Sequence, residues 1–584
     1  MPRREPRAGR AEPPASELLV CELSRRGKLL VGEPYFVPGQ PVLLDRRGSG
    51  ESADGDLIVV SVPPRGRGSV VVTLGPSSRV ETVLDGLLHH VGVRDPRGRS
   101  RAAEREAVDL PVEPDGAEPG RVDLRDLPTF TVDPDTARDF DDALSVRREG
   151  DGLRVWVHIA DVTRYVTPLT ALDLDAAERS LSVYVPGAVE PMLPERLSNG
   201  LCSLMPFRDR LCVTVEVAFD GSLEAGEPSF YRSVIRSDAR LTYSEVEAAL
   251  AGRHRLEPGL AEALSLADRL SAELRRRRFA RGALRIESPE LAFAFDGRGG
   301  VEKAWIEAEP VAHALVEELM ILANEAVGGL LAARRRESLY RVHERPEPQA
   351  VELLLTKLAE LEVPTPPVPD HLTPGEAARL AAKTAALVLA FTRRSERGRE
   401  AFPSLVLRSL KQARYDPRNL GHSGLASRAY CHFTSPIRRY PDVVCHRALL
   451  RELGVADDPL PADLELTAEW CSIRERDAAK AEHLADDVCL AWLLERRLFE
   501  LGWEAVFEGE ITGAIGSGVF VRFDEVFEGY LPARRLGGDY YELDPLGVAL
   551  VGRRTGRRLR LGDGISVRVE RVDRAAGKVE LAPA

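Results

Sequence analysis

From Thr131 to Asp142 the chain reads TVDPDTARDFDD, which puts five aspartates, Asp133, Asp135, Asp139, Asp141 and Asp142, into ten positions with only Arg138 close by to offset them. Two like unit charges about 4 Å apart cost roughly 4 kcal/mol at an effective dielectric near 20, so converging carboxylates are stable only with cations among them. Their hard oxygen donors favour a hard ion, Mg2+ or Mn2+. If DFDD runs extended, Asp139 and Asp141 point to one side and Asp142 to the other, while a turn at Pro134 lets Asp133 fold back towards them. An acidic surface turn is the alternative, and the stretch by itself leaves both open.

Other carboxylate motifs fit less well. An EF-hand loop starting at Asp133 needs Gly at its sixth position and Glu at its twelfth, where this chain has Arg138 and Leu144. A phosphatase of the haloacid-dehalogenase type wants D-x-D-x-T, but after Asp133 and Asp135 the threonine, Thr136, arrives one position early and the later aspartates go unexplained.

The elements that must hold these acids follow from the apolar pattern. Residues 1–16 are expected to be disordered. From Leu18 to Leu74, short apolar runs broken by Gly and Pro predict a small antiparallel barrel, and RVETVLDGLLHHVGVR predicts one helix. Residues 95–121 are polar, rich in Gly and Pro and without an apolar period, and read as a linker. A large α+β domain runs from about Val122 to Phe499: strand-like runs such as GLRVWVHIADV come first, then helices with Leu315, Leu319, Leu322, Ala326 and Leu330 on one face. Within it VPTPPVPD (363–370) reads as a loop. From Glu504 to the end, alternation between Gly turns outlines a five-stranded OB-type barrel.

A net charge of -12 argues against indiscriminate coating by nucleic acid but leaves room for a basic channel, and arginines bunch at 274–285, 332–336, 392–399 and 552–562. The seven cysteines are scattered without C-x-x-C spacing, so they read as reduced core residues. No apolar stretch is long enough for a membrane span and no signal-peptide core opens the chain, so a cytoplasmic protein is expected.

TVDPDTARDFDDALSV resembles the signature of the ribonuclease II and R (RNB) family of 3′-to-5′ exoribonucleases. Further segments match in the same order: VHIADVTRYV (157–166), SVYVPGAVEPMLPERLSNGLCSLMP (182–206), VAHALVEELMILANEAV (311–327), LYRVHERPEP (339–348) and YCHFTSPIRRYPDVVCHR (430–447). The resemblance implies a multidomain α+β protein: a small cold-shock or OB-like β domain over 17–75, a short helix and linker over 76–121, an RNB catalytic domain over 122–500 and an OB-fold RNA-binding domain of the ribosomal-protein type over 501–584. It implies a processive hydrolase that releases nucleoside 5′-monophosphates from single-stranded RNA and works as a monomer. Asp133, Asp139, Asp141 and Asp142 would bind Mg2+ or Mn2+, with Asp141 also positioning a second ion or the attacking water. Arg438 would grip the scissile phosphate and Tyr184 the 3′-terminal nucleotide, making Asp141, Arg438 and Tyr184 the catalytic set. Tyr243, Phe293, Arg439 and Glu482 would complete the RNA contacts, and Phe507, Phe520 and Phe523 divide between core and base stacking. His432 and His446 are expected to be structural. The likeness departs at the ends: usual bacterial members carry two cold-shock barrels, and ribonuclease R has a lysine-rich tail where this sequence stops at VELAPA.

Overall fold

The computed structural model describes residues 17–45, 52–111, 113–114, 118–285, 290–307, 311–369 and 371–584, so the disorder expected of residues 1–16 lies outside the described residues. Short runs rich in Val, Ile and Leu form β1 (Glu17–Arg26), β2 (Leu29–Pro34), β3 (Val42–Leu43), β4 (Asp56–Val62) and β5 (Ser69–Pro76), in the order β3-β2-β1-β4-β5. A parallel bridge from Leu44 to Gly68 draws the edges together around Cys21, Leu23, Ile58 and Val60. A Cβ at Gly68 would stand 2.7 Å from Val60, so the closing edge has room only for glycine.

Two helices follow, α1 (Val80–His90) and α2 (Arg101–Asp109). The first fills the expected helical stretch, while α2 corrects the reading of 95–121 as a plain linker. Ser100 caps it, and only Ala103 and Ala107 are buried, an i, i+4 pair too small to register as an apolar face.

The central unit begins with β6 (Val122–Asp123), β7 (Phe130–Asp133), β8 (Asp142–Glu149), β9 (Gly152–Ala160), α3 (Ala171–Arg179), the hairpin β10 (Val183–Val185) and β11 (Ala188–Glu190), β12 (Asp209–Phe219), β13 (Ser229–Arg236) and β14 (Ala239–Thr242). One sheet runs β14-β7-β8-β9-β12-β13-β6, with β14 parallel to β7 and β6 parallel to β13. Both faces are covered, and β9 is therefore buried from Val155 through Ala160 instead of alternating. Next come α4 (Tyr243–Leu250), α5 (Pro258–Ala280), β15 (Glu290–Phe295), β16 (Val301–Glu307) and α6 (Val311–Ala333); α5 and α6 lay Leu264, Leu270, Leu315 and Leu319 on Leu144, Val155 and Val213. After β17 (Tyr340–Val342), α7 (Pro348–Glu360), α8 (Pro374–Ser395), α9 (Ala401–Arg408) and β18 (Arg414–Asp416), α10 (Tyr440–Glu452) runs through the core, buried from Tyr440 through Leu450.

The 38-residue α11 (Leu464–Leu501) leads into β19 (Val506–Ile515), β20 (Gly518–Phe523), β21 (Phe527–Pro532), β22 (Tyr541–Leu543), β23 (Ala549–Gly552), β24 (Arg558–Arg560), β25 (Gly564–Asp573) and β26 (Lys578–Pro583). Strands β19-β20-β21-β26-β25 close into the expected barrel, and β22 to β24 form a separate small sheet inserted in it. Phe507 and Phe523 are core, whereas half-buried Phe520 pairs with Tyr530, ring centroids 5.4 Å apart. The architecture is the multidomain α+β class expected. All seven cysteines are free and buried, and no helix among the described residues is long and apolar enough to cross a membrane.

Candidate active site

The aspartates meet where β7 passes to β8. Asp133 ends β7, Asp142 starts β8, and Asp139 and Asp141 lie on the extended segment between them, while Asp135 is exposed in the turn. Ser203 pins that segment: its Oγ accepts from the Phe140 amide (3.1 Å) and donates to the Arg138 carbonyl (2.8 Å). Buried Asp141 accepts the Ile437 amide on Oδ1 (2.8 Å) and faces Arg438 Nε with Oδ2 (3.3 Å). The Tyr184 hydroxyl donates to Asp139 Oδ2 (2.9 Å), and the Tyr184 amide donates to Glu482 Oε1 on α11 (3.0 Å).

Burial raises the carboxyls of Asp133, Asp141 and Asp142 above the ordinary carboxylate range. Repulsion adds to it, from Asp139 on Asp133, from Asp133 on Asp142 and from Asp139 and Asp142 on Asp141, and Arg438 offsets all three. Asp133 Oδ2 and Asp141 Oδ2 are buried with no hydrogen-bond partner among the described residues. Among the described residues no group of three or more His, Cys, Asp and Glu side chains is arranged to hold a metal ion, so the four aspartates do not stand as a finished cage. Their donor set nevertheless fits a divalent cation. Orphaned buried carboxylate oxygens are costly, and a hard ion that draws them in by side-chain rotation would satisfy them.

Tyr243 starts α4 beside this group: burial, then Asp142 and Asp133, push its hydroxyl up to about 12. Phe293, in β15, is half-buried against the core that holds Val183 and Val185 of the Tyr184 hairpin. His432 Nδ1 pairs with the Tyr415 hydroxyl (2.9 Å), and His446 stacks on Phe433, both within the fold as expected. Arg439 binds Asp442 twice, Nε to Oδ2 at 2.9 Å and Nη2 to Oδ1 at 2.7 Å, within the turn that presents Arg438.

Several contributors escape a reading of the sequence. Asp442 shapes the turn of Arg438 from nearby, while Ser203 and Arg240, whose guanidinium lies 5.7 Å from the Phe140 ring, reach the aspartate segment from distant positions. The supposed linker also contributes: its Arg99 donates to the carbonyl of Met192 at 2.7 Å, and with Arg94 before it and Arg179 of α3, which both bind Glu190 at 2.7 Å, fixes the hairpin that carries Tyr184. Only Asp442 left a trace, three positions after Arg439.

Residues 121–454 match the family model described as RNB domain. The chain belongs to the RNB family. Its RNB domain contains the sheet, the aspartates, Tyr184, Arg438 and α10, while Glu482 and both terminal β units lie outside the matched residues. The chain is 39% identical over 503 residues to ribonuclease R of Escherichia coli K12, covering 82% of this chain and 59% of that protein. To ribonuclease R of Vibrio parahaemolyticus it is 36% identical over 596 residues, covering 94% and 68%. It thus spans about three fifths of the length of the first of these relatives. Among solved structures, Mycoplasma genitalium RNase R in complex with ribose methylated single-stranded RNA superposes with a TM-score of 0.86 at 26% identity, covering 98% of this chain and 90% of that one.

Proposed function

We propose that this chain is a divalent-metal-dependent, processive 3′-to-5′ exoribonuclease that degrades single-stranded RNA to nucleoside 5′-monophosphates, with Mg2+ as its ion and Mn2+ as a substitute. The observation that carries the reading is the pair of buried carboxylate oxygens, Asp133 Oδ2 and Asp141 Oδ2, that no hydrogen bond satisfies among the described residues, flanked by Tyr184 on Asp139 and by Arg438, which faces Asp141 Oδ2 at 3.3 Å. The named RNase R relatives and the RNA-bound RNase R structure support the substrate class.

Asp133, Asp139, Asp141 and Asp142 would hold the metal. When bound, it neutralises phosphoryl oxygens and makes water a competent nucleophile near neutral pH. Arg438, half-exposed on a turn held by Asp442, offers a planar fork to the scissile phosphate. Tyr184, fixed by Asp139 and Glu482, holds the last nucleotide at the acids, while Tyr243 and Phe293 provide aromatic faces for bases upstream. The β units over 17–75 and 501–584 would add grip on the strand. The reading includes a cytoplasmic monomer.

The test is Asp141→Asn, which keeps the shape and the Ile437 contact. It should leave the Kd for a single-stranded oligoribonucleotide within about threefold and lower turnover by more than about a thousandfold. A variant that shortens labelled RNA at the parental rate refutes the assignment.

A further inference from the structure

The segment that carries Asp139 and Asp141 has a second face. Side chains of an extended segment alternate, so Arg138 and Phe140 leave it opposite those aspartates. There they line a cleft of about 500 Å³ together with Glu195, Arg196, Asn199 and Met205. Asn199 belongs to an irregular turn of π-helix, Leu197–Leu201, a geometry that concentrates at functional sites.

The chemistry of the cleft is divided. Arg138 is exposed and its guanidinium makes no hydrogen bond or ion pair among the described residues, while Arg196 is anchored to the Leu110 carbonyl at 2.5 Å and, among the described residues, is not neutralised by a carboxylate. Two such guanidiniums suit a phosphate. Exposed Glu195 has the paired acceptor oxygens that vicinal ribose hydroxyls require, Asn199 can donate and accept at a base edge, and Phe140 with Met205 supplies an apolar wall. The cleft is open to solvent on one side and larger than inorganic phosphate requires.

We propose that this cleft binds a nucleoside 5′-monophosphate, the product class of the reaction proposed above and on that reading its natural source, on the face of the aspartate segment turned away from the RNA. Ser203 and the Leu204 amide tie the segment to the wall that ends in Met205, so occupancy of the cleft bears directly on Asp139 and Asp141. The consequence is inhibition by product that added RNA does not relieve.

The probe is AMP, titrated calorimetrically into the full Asp141→Asn chain already saturated with a single-stranded oligoribonucleotide, so that the RNA path is filled and nothing is turned over. One AMP should bind per chain, and Arg138→Ser, a change at an exposed side chain, should weaken it by at least about tenfold, the scale of one charge-assisted contact. In the active chain AMP should slow RNA hydrolysis non-competitively, and Arg138→Ser should lose that inhibition. AMP that RNA displaces, that binds Arg138→Ser as tightly as the parent, or that inorganic phosphate matches overturns the proposal. If RNA is degraded and no AMP binds, only the cleft assignment falls; if AMP binds and RNA is not degraded, the nuclease reading falls instead.

Discussion

Asp442 is fully buried and receives three hydrogen bonds, two from Arg439 and one from the Ser435 amide. Arg438, one position before Arg439, has for its side chain among the described residues only the Ser435 hydroxyl at 3.2 Å and Asp141 at 3.3 Å. The adjacent guanidiniums therefore fail differently when replaced. Arg438→Lys should keep the parental denaturation midpoint and lose about a hundredfold in kcat, the scale of a missing anion-stabilising donor. Arg439→Lys breaks a bidentate pair on a buried carboxylate and should cost about 1–3 kcal/mol in chemical denaturation; equal kinetic losses with unchanged stability in both variants would contradict this division. The sequence makes the aspartate cluster legible because its crowding has no cheap explanation without a cation. It cannot show which arginine pairs with Asp442, since that is decided by the burial of Asp442, nor can it reveal Ser203 or Arg240, which reach the aspartate segment from distant positions.

Helix ends and turns decide how the C-terminal barrel docks. Glu510 on β19 accepts the amides of Gly398 (2.8 Å) and Arg399 (3.2 Å), capping the approach to α9 from another unit. Gly577, with φ +62, turns the chain between β25 and β26, and a Cβ there would stand 2.6 Å from Asp487 Cβ and 2.9 Å from the Val488 amide of α11. Gly556 has a similar φ of +68, but a Cβ there would meet nothing within 4 Å among the described residues. Gly556→Ala should thus cost only the left-handed backbone penalty, about 1 kcal/mol, whereas Gly577→Ala must also push the barrel off the helix and should cost about 2–4 kcal/mol. Calorimetry of the barrel transition checks this, and equal shifts would mean that the turn relaxes freely. The strands of this barrel are legible because alternation survives in short segments. Its docking is not, because Glu510 stands 111 and 112 positions from the amides it accepts and leaves no periodic signal, just as α2 hides behind two alanines.

Across the whole molecule α11 is the common strut: Glu482 holds the Tyr184 hairpin and Asp487 meets the barrel turn five positions on, about 7.5 Å along the axis. On the proposed function, RNA grip at the barrel and placement of the last nucleotide would share this helix, and the stability of the central unit bears the cost of the acids beside it. Asp142 is raised by burial and by Asp133, so without a cation its charge opposes folding. In EDTA, Asp142→Asn should therefore melt above the parent. With Mg2+ at a hundredfold excess over its Kd the parent gains about 2.7 kcal/mol, while the variant, short of one ligand, gains less and the order of melting reverses. Thermal unfolding in both conditions reads this without reference to activity. A parent that gains nothing from Mg2+ or Mn2+, or a variant that gains as much, would take the ion away from these four carboxylates and leave their crowding without its physical reason.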